Sequence, residues 1–175
     1  MRWMLIFSLI SFSHVFAGDN HARIDLVMLN YQPLEAEPKQ GDSRVKHPGW
    51  VKDAEKKAAN LYVIFKNECK DWETFSFSFT PKSDGKVRII LKSDNKSNFL
   101  YKEVSAKGAT VKNEDFSKAG KNGLPLSWYS NNVKGFTKDG KNSTISVNHD
   151  TPFMQTIVVK KDQPVTLTVV VKSAE

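Results

Sequence analysis

The side chains best suited to chemistry in this chain are aromatic rings and amides. Trp50, Trp72, Trp128 and Tyr129 offer flat apolar faces, and Asn131 and Asn132 follow two of them closely. A flat apolar surface beside a few placed polar groups can take a sugar ring: the ring stacks while amides meet its hydroxyls. Trp50 lies in His47-Pro48-Gly49-Trp50, inside a long polar connection, which favours exposure. Trp128 has two readings, a ligand platform or a core anchor at the base of its loop. Trp72 abuts a strand and reads as core. The candidate ligand-binding residues are Trp50, Trp128, Tyr129, Asn131 and Asn132.

Other chemistries have less to work with. His21, His47 and His149 are far apart and lack zinc-ligand spacing. Asn148-His149-Asp150 reads as a turn capping a strand. Cys69 is the only cysteine, so it forms no internal disulfide, and it reads as a strand-end residue. No nucleophile elbow, phosphate loop or dinucleotide fingerprint occurs. Acidic residues are plentiful, but nothing singles out a hydrolytic pair. The expectation is a protein that is not an enzyme.

Charge narrows the partners. The chain has 26 Lys+Arg against 19 Asp+Glu, yet only Arg23, Arg44 and Arg88 follow Arg2. Nucleic-acid readers concentrate arginine and aromatics on one face. Scattered lysine instead solvates a surface and guards sheet edges, so no nucleic-acid partner is expected. Weak attraction to anionic glycans or cell surfaces would fit the balance.

The first residues read as an export signal. Arg2 precedes the apolar stretch Trp3 to Phe16, and Val15 and Ala17 provide small-residue cleavage positions. The stretch is shorter than the ~20 residues that span a bilayer. The expected division is a signal peptide over 1–17 and one β-sandwich domain over 18–175, secreted or periplasmic, with no transmembrane segment after cleavage.

Period-two alternation carries the fold reading. Ile24, Leu26 and Met28 mark one strand, and Leu61, Val63 and Phe65 another. Phe75, Phe77 and Phe79 alternate with Ser76 and Ser78. Ser83-Asp84-Gly85 then leads into Val87, Ile89 and Leu91, which reads as a hairpin from Thr74 to Lys92. Further strands are expected over Phe99 to Ala106, Thr144 to Val147, Gln155 to Val159 and Val165 to Lys172. Asp53 to Asn60 predicts a short helix. Gln32 to Val51 and Gly108 to Ser143 read as long connections. The fold class is all-β, a jelly-roll β-sandwich of about eight antiparallel strands with long loops.

Short motifs carry a resemblance. Asn113-Glu114-Asp115-Phe116, then Gly123-Leu124-Pro125-Leu126-Ser127-Trp128, resembles the opening of galactose-binding-like jelly rolls, which include carbohydrate-binding modules. Gln155 to Val159 and Val165 to Val169 resemble the strands that follow. The closing half lies earlier here: Trp72 to Pro81, Gly85 to Leu91 and Tyr101 to Ser105 resemble the family's last strands. Closing strands ahead of opening ones imply a circular permutation; the alternative is the tail of one module followed by the head of another. Two half-sandwiches would each leave an apolar face uncovered, which favours permutation. The family often holds a structural calcium ion near the opening motif. Asp115 is retained here, but Ser117 stands where Glu is expected, and Lys102 and Glu103 replace acidic residues of the final strand. Those departures argue against calcium, and no cofactor is expected.

Together these readings imply an exported, non-catalytic module that binds a glycan or cell-surface polysaccharide through loop aromatics. The alternative is a structural or protein-interaction module of an exported or cell-surface assembly, with a protein partner.

Overall fold

The computed structural model describes residues 20–65, 69–139 and 142–174. The leader expected at 1–17 lies outside the described residues. The remainder forms an antiparallel all-β sandwich with eleven strands: β1 (Ala22–Met28), β2 (Leu34–Gln40), β3 (Ser43–Lys46), β4 (Asn60–Phe65), β5 (Glu73–Pro81), β6 (Gly85–Ser93), β7 (Phe99–Lys107), β8 (Phe136–Asp139), β9 (Asn142–Val147), β10 (Phe153–Val159) and β11 (Val165–Ser173). One short helix, α1 (Ala54–Ala59), precedes β4, with Asp53 capping its first turn through Glu55 and Lys56 N–H groups. No helix among the described residues is long and apolar enough to cross a membrane.

The strands divide into a five-stranded sheet, β10-β6-β1-β4-β3, and a six-stranded sheet, β2-β5-β11-β7-β9-β8. Among the described residues neither sheet closes into a barrel. Alternation sends one face of each sheet inward. Ile24, Leu26, Leu61, Val63, Ile89 and Leu91 from the first sheet meet Phe75, Phe77, Phe79, Leu167 and Val169 from the second. Phe65 and Phe75 stack across the two layers with ring centroids 4.8 Å apart. Each such side chain removed from water contributes about 2–3 kcal/mol.

Two expectations are corrected. The sandwich has eleven strands, not eight, and the additional three are all rim strands. β2 and β8 edge the second sheet, and β3 edges the first. A rim strand is held by backbone hydrogen bonds on one side and needs little apolar alternation, so β2 (Leu-Glu-Ala-Glu-Pro-Lys-Gln) buries only Leu34. Pro38 is tolerated there, beside a register shift, because a rim strand need not donate on its open side.

The second correction concerns the expected hairpin. β5 pairs with β2 and β11, whereas β6 pairs with β1 and β10. Ser83-Asp84-Gly85 therefore carries the chain from one layer to the other. Facing strands bury alternate residues into the same core, so alternation cannot separate facing from paired neighbours. The Lys161-Asp162-Gln163-Pro164 turn likewise crosses layers, from β10 to β11.

Candidate functional site

The segment between β7 and β8 is long but tightly built. Gly108 opens it at φ +92, where a Cβ would lie 2.4 Å from the Pro164 carbonyl oxygen, so a side chain is excluded. Asn113 then organises the loop. Its Nδ2 donates to the carbonyls of Lys118 (2.9 Å) and Leu126 (3.0 Å), and its Oδ1 accepts the Lys118 N–H (2.9 Å). Its own carbonyl accepts the indole N–H of Trp128 at 3.2 Å. Asn113, Phe116 and Ser127 all have positive φ, a conformation Asn tolerates better than most residues. Phe116 meets Trp128 edge-on at 5.2 Å.

The loop is also clipped to the sandwich. Tyr129 and Met154 exchange backbone hydrogen bonds of 2.9 and 2.8 Å, fastening the loop to the free edge of β10. The Gln155 side chain accepts from the Lys112 N–H (2.7 Å) and donates to its carbonyl (2.9 Å). Asn113→Gly, which keeps the backbone at ease, is expected to cost about 2 kcal/mol through the lost side-chain bonds. Asn113→Ala should cost about 1 kcal/mol more, for strain at φ +54. Urea unfolding of the pair checks this order; equal costs would remove the strain argument.

What this platform displays is specific. Tyr129 is 63% exposed, and Leu126 and Val133 are exposed on the same loop. Asn131 is exposed and Asn132 half-buried. The Asn132 N–H donates to Ser130 Oγ at 3.0 Å, and its carbonyl accepts from Gly135. Neither Asn side-chain amide has a hydrogen-bond partner among the described residues. Both are left to meet solvent or a ligand.

The other candidates are placed elsewhere. Trp128 is 3% exposed and belongs to the core, so it offers no face to a ligand. Its neighbour Tyr129 is exposed: the chain turns at Ser127 and then bridges to Met154 of β10 through the Tyr129 backbone. Trp50 is 77% exposed, but it follows β3, at the rim of the first sheet opposite β10. Trp50 and Tyr129 thus belong to segments at opposite rims of the first sheet. Trp72, read as core, is half-buried on the outer face of the second sheet. The signal was present in the numbering: residue 72 has opposite parity to Phe75, Phe77 and Phe79, and so the opposite face.

Beside the platform runs a shallow polar groove lined by Glu103, Val111, Asn113, Glu114, Asp115, Ser117 and Lys118. Hydrogen bonds from the Ser117 hydroxyl and N–H hold Asp115 below the usual carboxylate range. Ser117 thus presents donors to this carboxylate. Among the described residues no three His, Cys, Asp or Glu side chains converge as a metal ion would need.

Two further polar clusters serve structure. Arg23 holds Asp25 through two nitrogens (2.6 and 2.9 Å) and Asp94 through a third (2.9 Å), and it lies 4.3 Å over the Tyr62 ring. Asn148 Oδ1 accepts from the Asp150 and Thr151 N–H groups, so Asn148-His149-Asp150 is a turn closing β9. No family model matches the chain, and no curated protein or solved structure matches it either.

Proposed function

We propose that this chain is an exported, non-catalytic binding module that takes a carbohydrate on the platform around Tyr129. The observation that carries the reading is a largely exposed aromatic ring, fixed by its own backbone to a sheet edge, beside two unpartnered amides. A rigid ring binds without losing much side-chain freedom, and the amides supply donors and acceptors for sugar hydroxyls. The leader-like first residues support export.

The strand order supports a jelly roll with a displaced starting point. The pairs β1–β4, β5–β11, β6–β10 and β7–β9 lie alternately in the first and second sheets. Followed as β4, β5, β6, β7, β9, β10, β11, β1, they wind as two interlocked Greek keys. In this reading β2 and β3 join β1 to β4, and the chain is open between β11 and β1. Both open ends lie by one loop: the Asn20 side chain bonds Asn95, the His21 carbonyl accepts the Asp94 N–H, and the Ala174 N–H donates to Asn98. That closeness suits a permuted roll.

Affinity gel electrophoresis of the chain over a series of neutral polysaccharides tests the function. Tyr129→Ala should weaken retention at least tenfold while leaving the unfolding midpoint unchanged, since the ring is exposed. No retention on any neutral or acidic polysaccharide would sink the reading.

One observation favours the protein-binding alternative. β10 carries no charge and no proline from Phe153 to Val159, and Val158 on it is 63% exposed. The rim strands β2 and β3 instead carry Glu35, Glu37, Pro38, Lys39, Arg44 and Lys46. The part of this edge beyond the Tyr129–Met154 bridge is unguarded and can accept a partner strand. A stoichiometric protein complex by light scattering, with no glycan retention, would replace the carbohydrate reading with this one.

A further inference from the structure

The outer face of the second sheet gathers charge and aromatic surface in a way the Tyr129 platform does not. Trp72, Lys172 and Lys102 stand side by side at one end of the adjacent strands β5, β11 and β7. The Lys102 ammonium lies 4.8 Å from the Trp72 ring centroid and the Lys172 ammonium 5.4 Å from it. Among the described residues neither ammonium has a carboxylate within ion-pair distance. Two like charges are therefore drawn to one ring and left without a counter-ion. Attraction to the indole face holds them in place, and an incoming anion would satisfy both through short charge-assisted hydrogen bonds.

The rest of that face sets the kind of anion. Ser76, Thr168 and Ser105 form a row across β5, β11 and β7, with Ser78 and Thr166 beside it, bonded to each other at 2.7 Å. Ser76 and Ser78 are buried, so half-buried Thr166, Thr168 and Ser105 present the accessible hydroxyls. Glu103 shares the face beside Lys102, and no large exposed apolar side chain lies among them. The face lacks the apolar residues that would enter a lipid interface, and it matches a hydroxyl-rich chain laid across the strands.

We propose that this face is a second binding surface, selective for acidic polysaccharide, with Lys102 and Lys172 engaging a carboxylate or sulfate at Trp72. The kind of ligand rests on the glycan reading above, but the surface, the residues and the charge selectivity are separate from the Tyr129 platform.

The test compares retention of the full chain in gels containing dextran, dextran sulfate or polygalacturonate. Lys102→Gln/Lys172→Gln should weaken retention by the acidic polymers at least tenfold. Lys86→Gln/Lys160→Gln removes the same charge from exposed lysines elsewhere and should change it less than twofold. Polygalacturonate against dextran sulfate tells carboxylate from sulfate recognition. Trp72→Phe should abolish the ligand-induced change in tryptophan emission. Equal losses from the two lysine pairs would reduce the site to diffuse charge and overturn the proposal. Tight binding to anionic vesicles, lost in the same double variant, would replace polysaccharide with a membrane surface and overturn it too. Retention by a neutral polysaccharide, lost in Tyr129→Ala, with no preference for acidic polymers, would overturn this proposal alone. No retention on any polymer would overturn both.

Discussion

Trp128→Ala should cost about 3–5 kcal/mol of stability and loosen the whole segment from Asn113 to Tyr129. The ring is 3% exposed, so truncation leaves a hole the size of an indole in the core. It also removes the edge contact with Phe116 and the indole N–H bond to the Asn113 carbonyl, which then keeps only the Phe116 N–H. Phe116 sits at φ +56, an uncommon conformation for a bulky residue, and the indole packed against it helps hold it there. Urea unfolding gives the global cost, and hydrogen exchange over 113–129 gives the local one. Trp128→Phe should lose about 1 kcal/mol for the hydrogen bond, plus a smaller packing loss. A cost below 1 kcal/mol for the alanine variant, with Tyr129-dependent binding lost, would return Trp128 to the ligand surface.

Phe77→Ala should cost a similar amount, about 3–5 kcal/mol, for a different reason. Phe77 is fully buried at the centre of the second sheet, paired with Leu167 on one side and Pro38 on the other, and 6.4 Å from the Phe65 ring of the facing layer. Its neighbour Ser78 faces the other way and bonds Thr166 Oγ1 at 2.7 Å. Ser78→Ala should cost no more than about 1 kcal/mol. Thermal or urea unfolding of the two variants checks the contrast. Equal, small effects would mean that the phenylalanine row is not the core row.

The inner layers of this fold were legible because alternation states which side chains hide. The central strands were readable that way, and the short helix from the helix formers between Asp53 and Asn60. Alternation says nothing of which strand lies beside which, so the β5–β6 hairpin was expected where the chain crosses between layers. It is also silent at sheet rims, where Leu34 alone of β2 is buried and pairing rests on the backbone. The candidate site was legible in part. Tyr129, Asn131 and Asn132 share the platform because they are consecutive in one loop. Trp50 and Trp128 could not be sorted by composition: one stands free beyond β3, and the other fills the space above Phe116. Trp72 was assigned by adjacency to a strand when its parity with Phe75 pointed outward.

The placement of the first and last strands has a consequence for how the chain acquires this form. β1 lies in the middle of its sheet, and β11 is the hydrogen-bonding seam between β5 and β7. Without β11 the second layer is two unjoined fragments with their phenylalanines facing water. Closure must await long-range pairing across nearly the whole polypeptide, a slow kind of assembly.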